Sequence, residues 1–347
     1  MCLVYTKHMN STQHKRIVII GPTASGKSAI AIALAHTYTG VVIGADSRQV
    51  YRHMDLGSGK EPGARCNLRA RTCRALPRTL RTILARTPHL WHPYISDGIA
   101  HYMIDIVSPR TPYSVAQFVA RAQSVLHACH THSILPIICG GTHFWVQALV
   151  EQQIFAAVPP NTALRTRLST RPATELLAHL AALDPIRAEA IRKNGEHFNR
   201  VRLIRAIEIA TALGSVPSPP APNPPDPNTT LILAVLPDQA TLHKNIEHRL
   251  PPRLAAGMLD EVAALHEKYH VPWTQLERFG LEYKWCARYL QGHCDMETLM
   301  KNIISESKKF AKRQRTWIRR WERSGARIHP ITTAAEAHTL THAFLSS

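Results

Sequence analysis

The segment Gly21-Pro22-Thr23-Ala24-Ser25-Gly26-Lys27-Ser28 constrains this chain more than any other, because it fits the G-x-x-x-x-G-K-[ST] pattern of a phosphate-gripping P-loop. Its surroundings suit it. Ile17-Val18-Ile19-Ile20 ahead of it is a β-branched apolar run fit for a strand buried on both faces. Ala29 to His36 behind it reads as a helix of small and aliphatic residues. Glycines let the backbone wrap so that several N–H groups face one anion, and the helix N-terminus adds its partial positive charge. Lys27 is placed to reach the outer phosphates, and the Ser28 hydroxyl to ligate Mg²⁺. The loop announces a phosphate compound without saying which one.

Further apolar runs extend the pattern. Val41-Val42-Ile43 and Ile134 to Cys139 read as buried strands, the latter ending in Gly140-Gly141-Thr142 and leading into a helix through Leu149. Strands alternating with helices predict a parallel α/β sheet, here a P-loop NTPase-like core. From about Asn161 to Leu213 the pattern is helical only. The proline-rich stretch Pro217 to Pro227 predicts a stiff extended connection, and Leu231 to Leu236 returns as a core strand. These features predict a first core segment over 14–155, an inserted all-helical domain over 156–228, and core completion with C-terminal helices over 229–330. On a basic helix around Lys308 to Trp321, the spacing puts Ile303, Phe310, Trp317 and Trp321 on one packed face. Between Ala64 and Ser96 seven arginines and no acid predict an exposed excursion with a short helix, either facing RNA or merely solvated.

Asp46, in Gly44-Ala45-Asp46-Ser47-Arg48-Gln49-Val50-Tyr51, follows the second strand. Ligands of open α/β sheets lie at the carboxyl ends of strands, so its carboxylate is expected near the phosphate cradle as a metal partner or general base. A helix cap is the plainer alternative for Asp and Ser at such a place.

Charge points to the partner. Lys and Arg number 42 against 24 acids, a formal net charge of +18, which suits a polyanion such as RNA. Seven scattered cysteines without a C-x-x-C pair argue against a disulfide framework and a cysteine zinc site, and for a reducing compartment. His127, His130 and His132 beside Cys129 read as a polar helix end. With no signal-peptide apolar run after Met1 or Met9 and no long apolar span, the reading is cytoplasmic, with no membrane.

GPTASGKS followed by ADSRQVY resembles the tRNA dimethylallyltransferases, or tRNA isopentenyltransferases. The likeness continues through Met54 to Lys60, His101 to Ile106, Tyr113 to Phe118, Gly140-Gly141-Thr142, Arg202 to Glu208, Gly280 to Lys284 and Lys312 to Arg319. It implies transfer of a dimethylallyl group from dimethylallyl diphosphate to N6 of adenosine 37 in tRNAs reading codons that begin with U. The partner would be an anticodon stem-loop carrying A36-A37-A38, the cofactor Mg²⁺ near Ser28, and the enzyme a monomer. Position by position, the resemblance implies that Gly21 to Ser28 grip the donor's diphosphate. Asp46 would take the N6 proton, and Thr23 would bond the bridging oxygen. Lys27 and Arg249 would neutralise the leaving group. Ser47, Arg48 and Gln49 would place the adenine, and Arg202, Arg205, Lys312 and Arg313 would contact tRNA, the inserted helical domain being its binding domain. The chain departs from the family at Asn245, where many relatives carry arginine (leaving a donor-side charge missing or supplied by Lys244), and at Trp145 in place of a tyrosine.

Two other classes use such a loop. A small-molecule kinase would leave the net charge without a purpose, and no lid with paired arginines is visible. An RNA-binding nucleotide switch predicts a strand ending in a magnesium-binding acid, whereas Ile134 to Cys139 runs into glycine.

Overall fold

The structure, a computed structural model, describes residues 15–67, 76–90, 92–218 and 223–347. They form two compact units, one built from the described residues up to Gln152 and from 223 onward, the other from residues 153–218.

In the first unit, β1 (Arg16–Ile20) leads through the loop into α1 (Lys27–Thr37) and β2 (Val41–Gly44). There follow β3 (Ala64–Arg65), α2 (Arg78–Ala85), β4 (Tyr94–Ser96), β5 (Ile99–Tyr102), α3 (Val115–Thr131), β6 (Pro136–Gly140) and α4 (His143–Val150). The helical unit holds α5 (Thr162–Leu168), α6 (Ala173–Leu183), α7 (Pro185–Lys193) and α8 (Arg200–Leu213). The first unit then resumes with β7 (Thr230–Val235), α9 (Gln239–Ala255), α10 (Met258–Glu267), α11 (Trp273–Phe279), α12 (Leu281–Leu290), α13 (Met296–Arg323), β8 (Ile328–Ile331) and α14 (Ala334–Ser346).

The strands make one sheet in the order β3-β4-β5-β2-β6-β1-β7-β8. β4 runs antiparallel to both neighbours, and every other pairing is parallel. β1 is central, with Ile19 opposite Cys139 on one side and Leu233 on the other. Its apolar run is buried throughout, as expected of a strand covered on both faces. On one face Ile30 and Leu34 of α1 and Ala337 of α14 pack with Ile17, Ile19, Ile137, Leu231 and Leu233. Because β2, β6 and β1 are adjacent and parallel, their carboxyl ends bring Asp46, Gly141 and the P-loop together. Gly140 makes this closeness possible: a Cβ there would collide with the Ala45 carbonyl.

The arginine-rich excursion is more anchored than its composition predicts. Leu76, Leu80, Leu84 and Leu90 are buried, and Arg65 bonds the carbonyl oxygens of Asp105 and His92. Arg78 and Arg86 are exposed, while Arg69, Arg71 and Arg74 lie outside the described residues. His127, His130 and His132 do stand at the end of α3. The sheet also runs past residue 330, since β8 pairs with β7 and α14 covers it, where the sequence reading gave no strand. Among the described residues no helix is long and apolar enough to cross a membrane.

The helical unit has its own core of Leu164, Leu168, Leu176, Leu180, Ile191, Leu203 and Ile207. Asn161, Asp184 and Asn199 start three of its helices by accepting a backbone N–H each. Its organising polar group is Glu208, buried on α8. Glu208 accepts from Arg165 at 2.8 Å, from Arg205 at 2.6 Å and from the Asn161 N–H at 2.6 Å. Burial alone would raise this carboxyl, but the hydrogen bonds from Arg165, Arg205 and Asn161 outweigh it and hold the group at about 2, below the ordinary 4.5. The resulting stabilisation, on the order of 3 kcal/mol, is present above the unfolded value and is lost as pH falls from 4.5 towards 2. Glu208→Gln should therefore speed amide exchange across α5–α8 roughly a hundredfold at pH 7. Exchange protection indistinguishable from the parent would show that Glu208 does not hold the unit together.

Candidate active site

The P-loop turns through left-handed Ala24 (φ 62°) and Gly26 (φ 85°) and hands over to α1, whose first turn receives no side-chain cap. Such an uncapped helix start is suited to an anion. Ser25 Oγ is buried inside the loop against Gly21 and has no hydrogen-bond partner.

Two side chains from distant helices fix the loop. Gln314 of α13, buried, accepts the Thr23 N–H at 2.7 Å through Oε1 and donates to the Gly141 carbonyl at 2.7 Å through Nε2. One amide thus ties the loop after β1 to the turn after β6. Arg249 of α9 donates from Nη1 to Thr23 Oγ1 at 2.7 Å, and its Nη2 faces Glu282 Oε1 at 3.4 Å. Burial lowers the Arg249 pKa and Glu282 opposes that, so the guanidinium stays charged.

Lys27 and Asp46 converge on the same space. A Cβ on Gly141 would stand 3.4 Å from Asp46 Oδ2 and 3.6 Å from Lys27 Nζ. The Arg48 N–H donates to Asp46 Oδ1 at 2.8 Å, which aims the carboxylate. Burial lowers the Lys27 pKa, and the Asp46 charge works against that. The walls are chemically quiet: burial pushes the Cys139 thiol up to about 12, and burial together with Lys27 brings His143 down to about 4. Thiolate and imidazolium chemistry at neutral pH are thereby excluded from these two residues. Thr23, Lys27, Ser28, Asp46, Glu61, Gly141, Arg249, Arg253, Phe310 and Gln314 line one cavity of about 230 Å³.

Family models described as "IPP transferase" and "Isopentenyl transferase" match residues 92–321 and 15–72. The chain is 34% identical over 323 residues to "tRNA dimethylallyltransferase 2" of Trichlorobacter lovleyi, covering 92% of each protein. The chain belongs to the tRNA dimethylallyltransferase family. It is a prenyltransferase. A relative from Treponema pallidum, also called tRNA dimethylallyltransferase, is 31% identical over 328 residues, 94% of this chain and 93% of that one. The full-length tRNA isopentenylpyrophosphate transferase of Bacillus halodurans superposes with a TM-score of 0.61 at 26% identity, covering 96% and 97% of the two chains. A eukaryotic dimethylallyltransferase acting on tRNA shares the fold at a TM-score of 0.68 and 20% identity, over 96% of this chain and 79% of that one.

Of the residues singled out by sequence, this prenyltransferase gathers Thr23, Ala24, Gly26, Lys27, Ser28, Asp46, Gln49 and Arg249 in the cavity. Ser47 faces Thr142, whose hydroxyl oxygen accepts its N–H at 3.0 Å. Arg48 bonds the Phe279 carbonyl at 2.7 Å and lies over that ring, and Gln49 donates to the Gly59 carbonyl at 3.0 Å. Lys312 and Arg313 are exposed on α13. Arg205 is committed to Glu208, and Arg202 pairs with Glu196. Asn245 donates to the Ala24 carbonyl, and Lys244, exposed, does not line the cavity. Sequence reading missed Gln314 and Arg253. The signal for Gln314 was its place on the inward ridge Ile303, Ser307, Ala311, Gln314, Ile318 and Trp321 of α13.

Gln314→Leu keeps the volume but strands two backbone groups, which costs about 1–3 kcal/mol each. Turnover is expected to fall at least tenfold, with weaker binding of inorganic diphosphate by calorimetry. A variant with parental turnover and diphosphate affinity would show that the bridge does not shape the loop.

Proposed function

We propose that the chain transfers the dimethylallyl group of dimethylallyl diphosphate to N6 of adenosine 37 in tRNAs reading codons that begin with U, yielding N6-dimethylallyladenosine and diphosphate. The observation that carries this reading is the meeting of Asp46 with Lys27, Thr23 and Arg249 in one cavity beside an anion-binding loop. An exocyclic amine is a poor nucleophile, and an allylic diphosphate departs readily once its charge is neutralised. A carboxylate on one side and a cationic cradle on the other answer both needs.

In the reaction N6 forms a bond to the allylic carbon as the carbon–oxygen bond breaks. The electron pair leaves with the diphosphate, and Asp46 takes the N6 proton. Thr23 has a defined part. Its oxygen accepts from Arg249, so its own proton is free to donate to the bridging oxygen of the donor. Lys27, Arg249 and the loop N–H groups stabilise the charge that develops there. Ser28 and Glu61 offer hard oxygen donors in the same cavity, which would suit Mg²⁺ shared with substrate phosphates. When bound, the ion supplies further positive charge against the leaving group. The exposed Lys312 and Arg313, with a net charge of +18, support binding of an anticodon stem-loop whose A37 leaves the stack to reach the cavity. The chain works as a monomer in this reading.

The test is a transfer assay with Mg²⁺, labelled dimethylallyl diphosphate and unmodified tRNA carrying A36-A37-A38, followed by nucleoside mass analysis. Label on adenosine 37, absent when that base is G, is expected. Transfer elsewhere, or consumption of ATP on a small acceptor instead, would overturn the reading. Asp46→Ala and Thr23→Ala should lower turnover by roughly 10²–10⁴ while tRNA affinity stays within about threefold. Near-parental turnover at saturating tRNA would remove the altered residue from the chemistry.

A further inference from the structure

Arg253 lies one turn beyond Arg249 on α9, and the i, i+4 spacing puts both guanidinium groups on one helix face. Both line the cavity. They share a single carboxylate oxygen, Glu282 Oε1, at 3.4 Å from Arg249 and 3.6 Å from Arg253. One buried acid between two cations leaves a positive charge uncompensated, which is costly away from water unless an anion joins it. The opposite wall is shaped around Arg253. Gly59 turns with φ +65°, and a Cβ there would run into Arg253 Nη2. The Gly59 carbonyl is held by Gln49 at 3.0 Å, so this wall does not simply move aside. Asn245, also on α9 and beside the P-loop at Ala24, brings no charge.

We infer that Arg253 is a second donor-side cation, binding the diphosphate of the prenyl donor together with Arg249. This deepens the proposed transfer reaction and rests on it. Lys27, Arg249 and Arg253 stand against Asp46 and Glu61 on the cavity lining and Glu282 beside the arginines, so without Arg253 the acids outnumber the cations before a multiply charged diphosphate arrives. The shared carboxylate ties Arg253 to the donor side of the cavity rather than to a separate surface for the RNA backbone. Glu282 couples Arg253 to the same guanidinium that holds Thr23 Oγ1 at 2.7 Å. An anion that engages Arg249 is therefore held by the pair.

The experiment compares the full chain with Arg253→Ala, Arg253→Lys and Gly59→Ala. Inorganic diphosphate binding is followed by calorimetry, and KM and kcat for dimethylallyl diphosphate and for tRNA are measured separately. Arg253→Ala is expected to weaken inorganic diphosphate and raise the donor KM about tenfold each, with the tRNA KM within about twofold. Arg253→Lys should recover part of the loss. Gly59→Ala, which crowds the guanidinium and also strains a backbone at φ +65°, should weaken diphosphate in the same direction without serving alone as the test. Unchanged diphosphate affinity and donor KM in Arg253→Ala, with or without a lower Tm, would overturn the inference and leave Arg253 as a mere partner of Glu282. A rise confined to the tRNA KM would overturn it in favour of an RNA phosphate. If the parent binds diphosphate through Arg253 yet transfers no prenyl group, the anion site stands and the transfer reading fails.

Discussion

Holding two guanidinium groups beside each other out of bulk water is the constraint on which the rest of the structure depends. Glu282 at the start of α12 faces both arginines, and Tyr283 beside it points elsewhere, donating to Glu261 of α10 at 2.8 Å. Burial and the Glu261 charge push the Tyr283 phenol well up, so it remains a donor. Glu261 in turn accepts the N–H groups of Asp55, Leu56 and Gly57 at 2.8, 2.6 and 3.1 Å. Lys60 closes the same segment by pairing with Asp55 and Asp105. Two neighbouring residues of one helix thus connect the cationic side of the cavity to the loop that forms its opposite wall. Glu282 and Glu261 are both spent on holding neighbouring groups, the one facing two guanidinium groups and the other gathering a phenol and three N–H groups.

What was legible in the sequence was local. The P-loop, its flanking strand and helix, and Asp46 after the second strand each follow from a few consecutive residues whose chemistry has one sensible arrangement. Gln314 was not legible, because its function depends on Thr23, 291 residues earlier. The α13 face expected from Ile303, Phe310, Trp317 and Trp321 is also divided: Ile303 and Trp321 are buried, while Phe310 lines the cavity. β8 escaped because a four-residue strand with an exposed proline has little hydrophobic signal, and its place is set by pairing with β7.

The positive charge has more than one use, which composition could not separate. Arg16 donates to Thr230 and to the Val150 carbonyl, Arg48 to the Phe279 carbonyl, and Arg65 to Asp105 and His92. Arg165 and Arg205 surround one buried glutamate. An arginine three residues before a glutamate on a helix, as Arg205 stands before Glu208, is as much a signal for an internal pair as for RNA. Part of the charge is thus fixed to internal partners, and exposed residues such as Lys312 and Arg313 carry the part that faces solvent.

The central position of β1 has a consequence for how the chain is made. Its hydrogen-bonding edges are taken by β6 and by β7, whose first residue is Thr230. At roughly 5–20 residues per second of synthesis, the first strand leaves the ribosome about 10–40 s before its second neighbour exists. During that interval a strand with four consecutive apolar residues, Ile17 to Ile20, has one edge or both unpaired. The helical unit, whose core is drawn from a short stretch of chain, is complete before then. Vectorial synthesis therefore favours a nascent state in which the inserted helices are folded while the sheet that encloses them in sequence is still open, exposed to chaperone binding until β7 arrives.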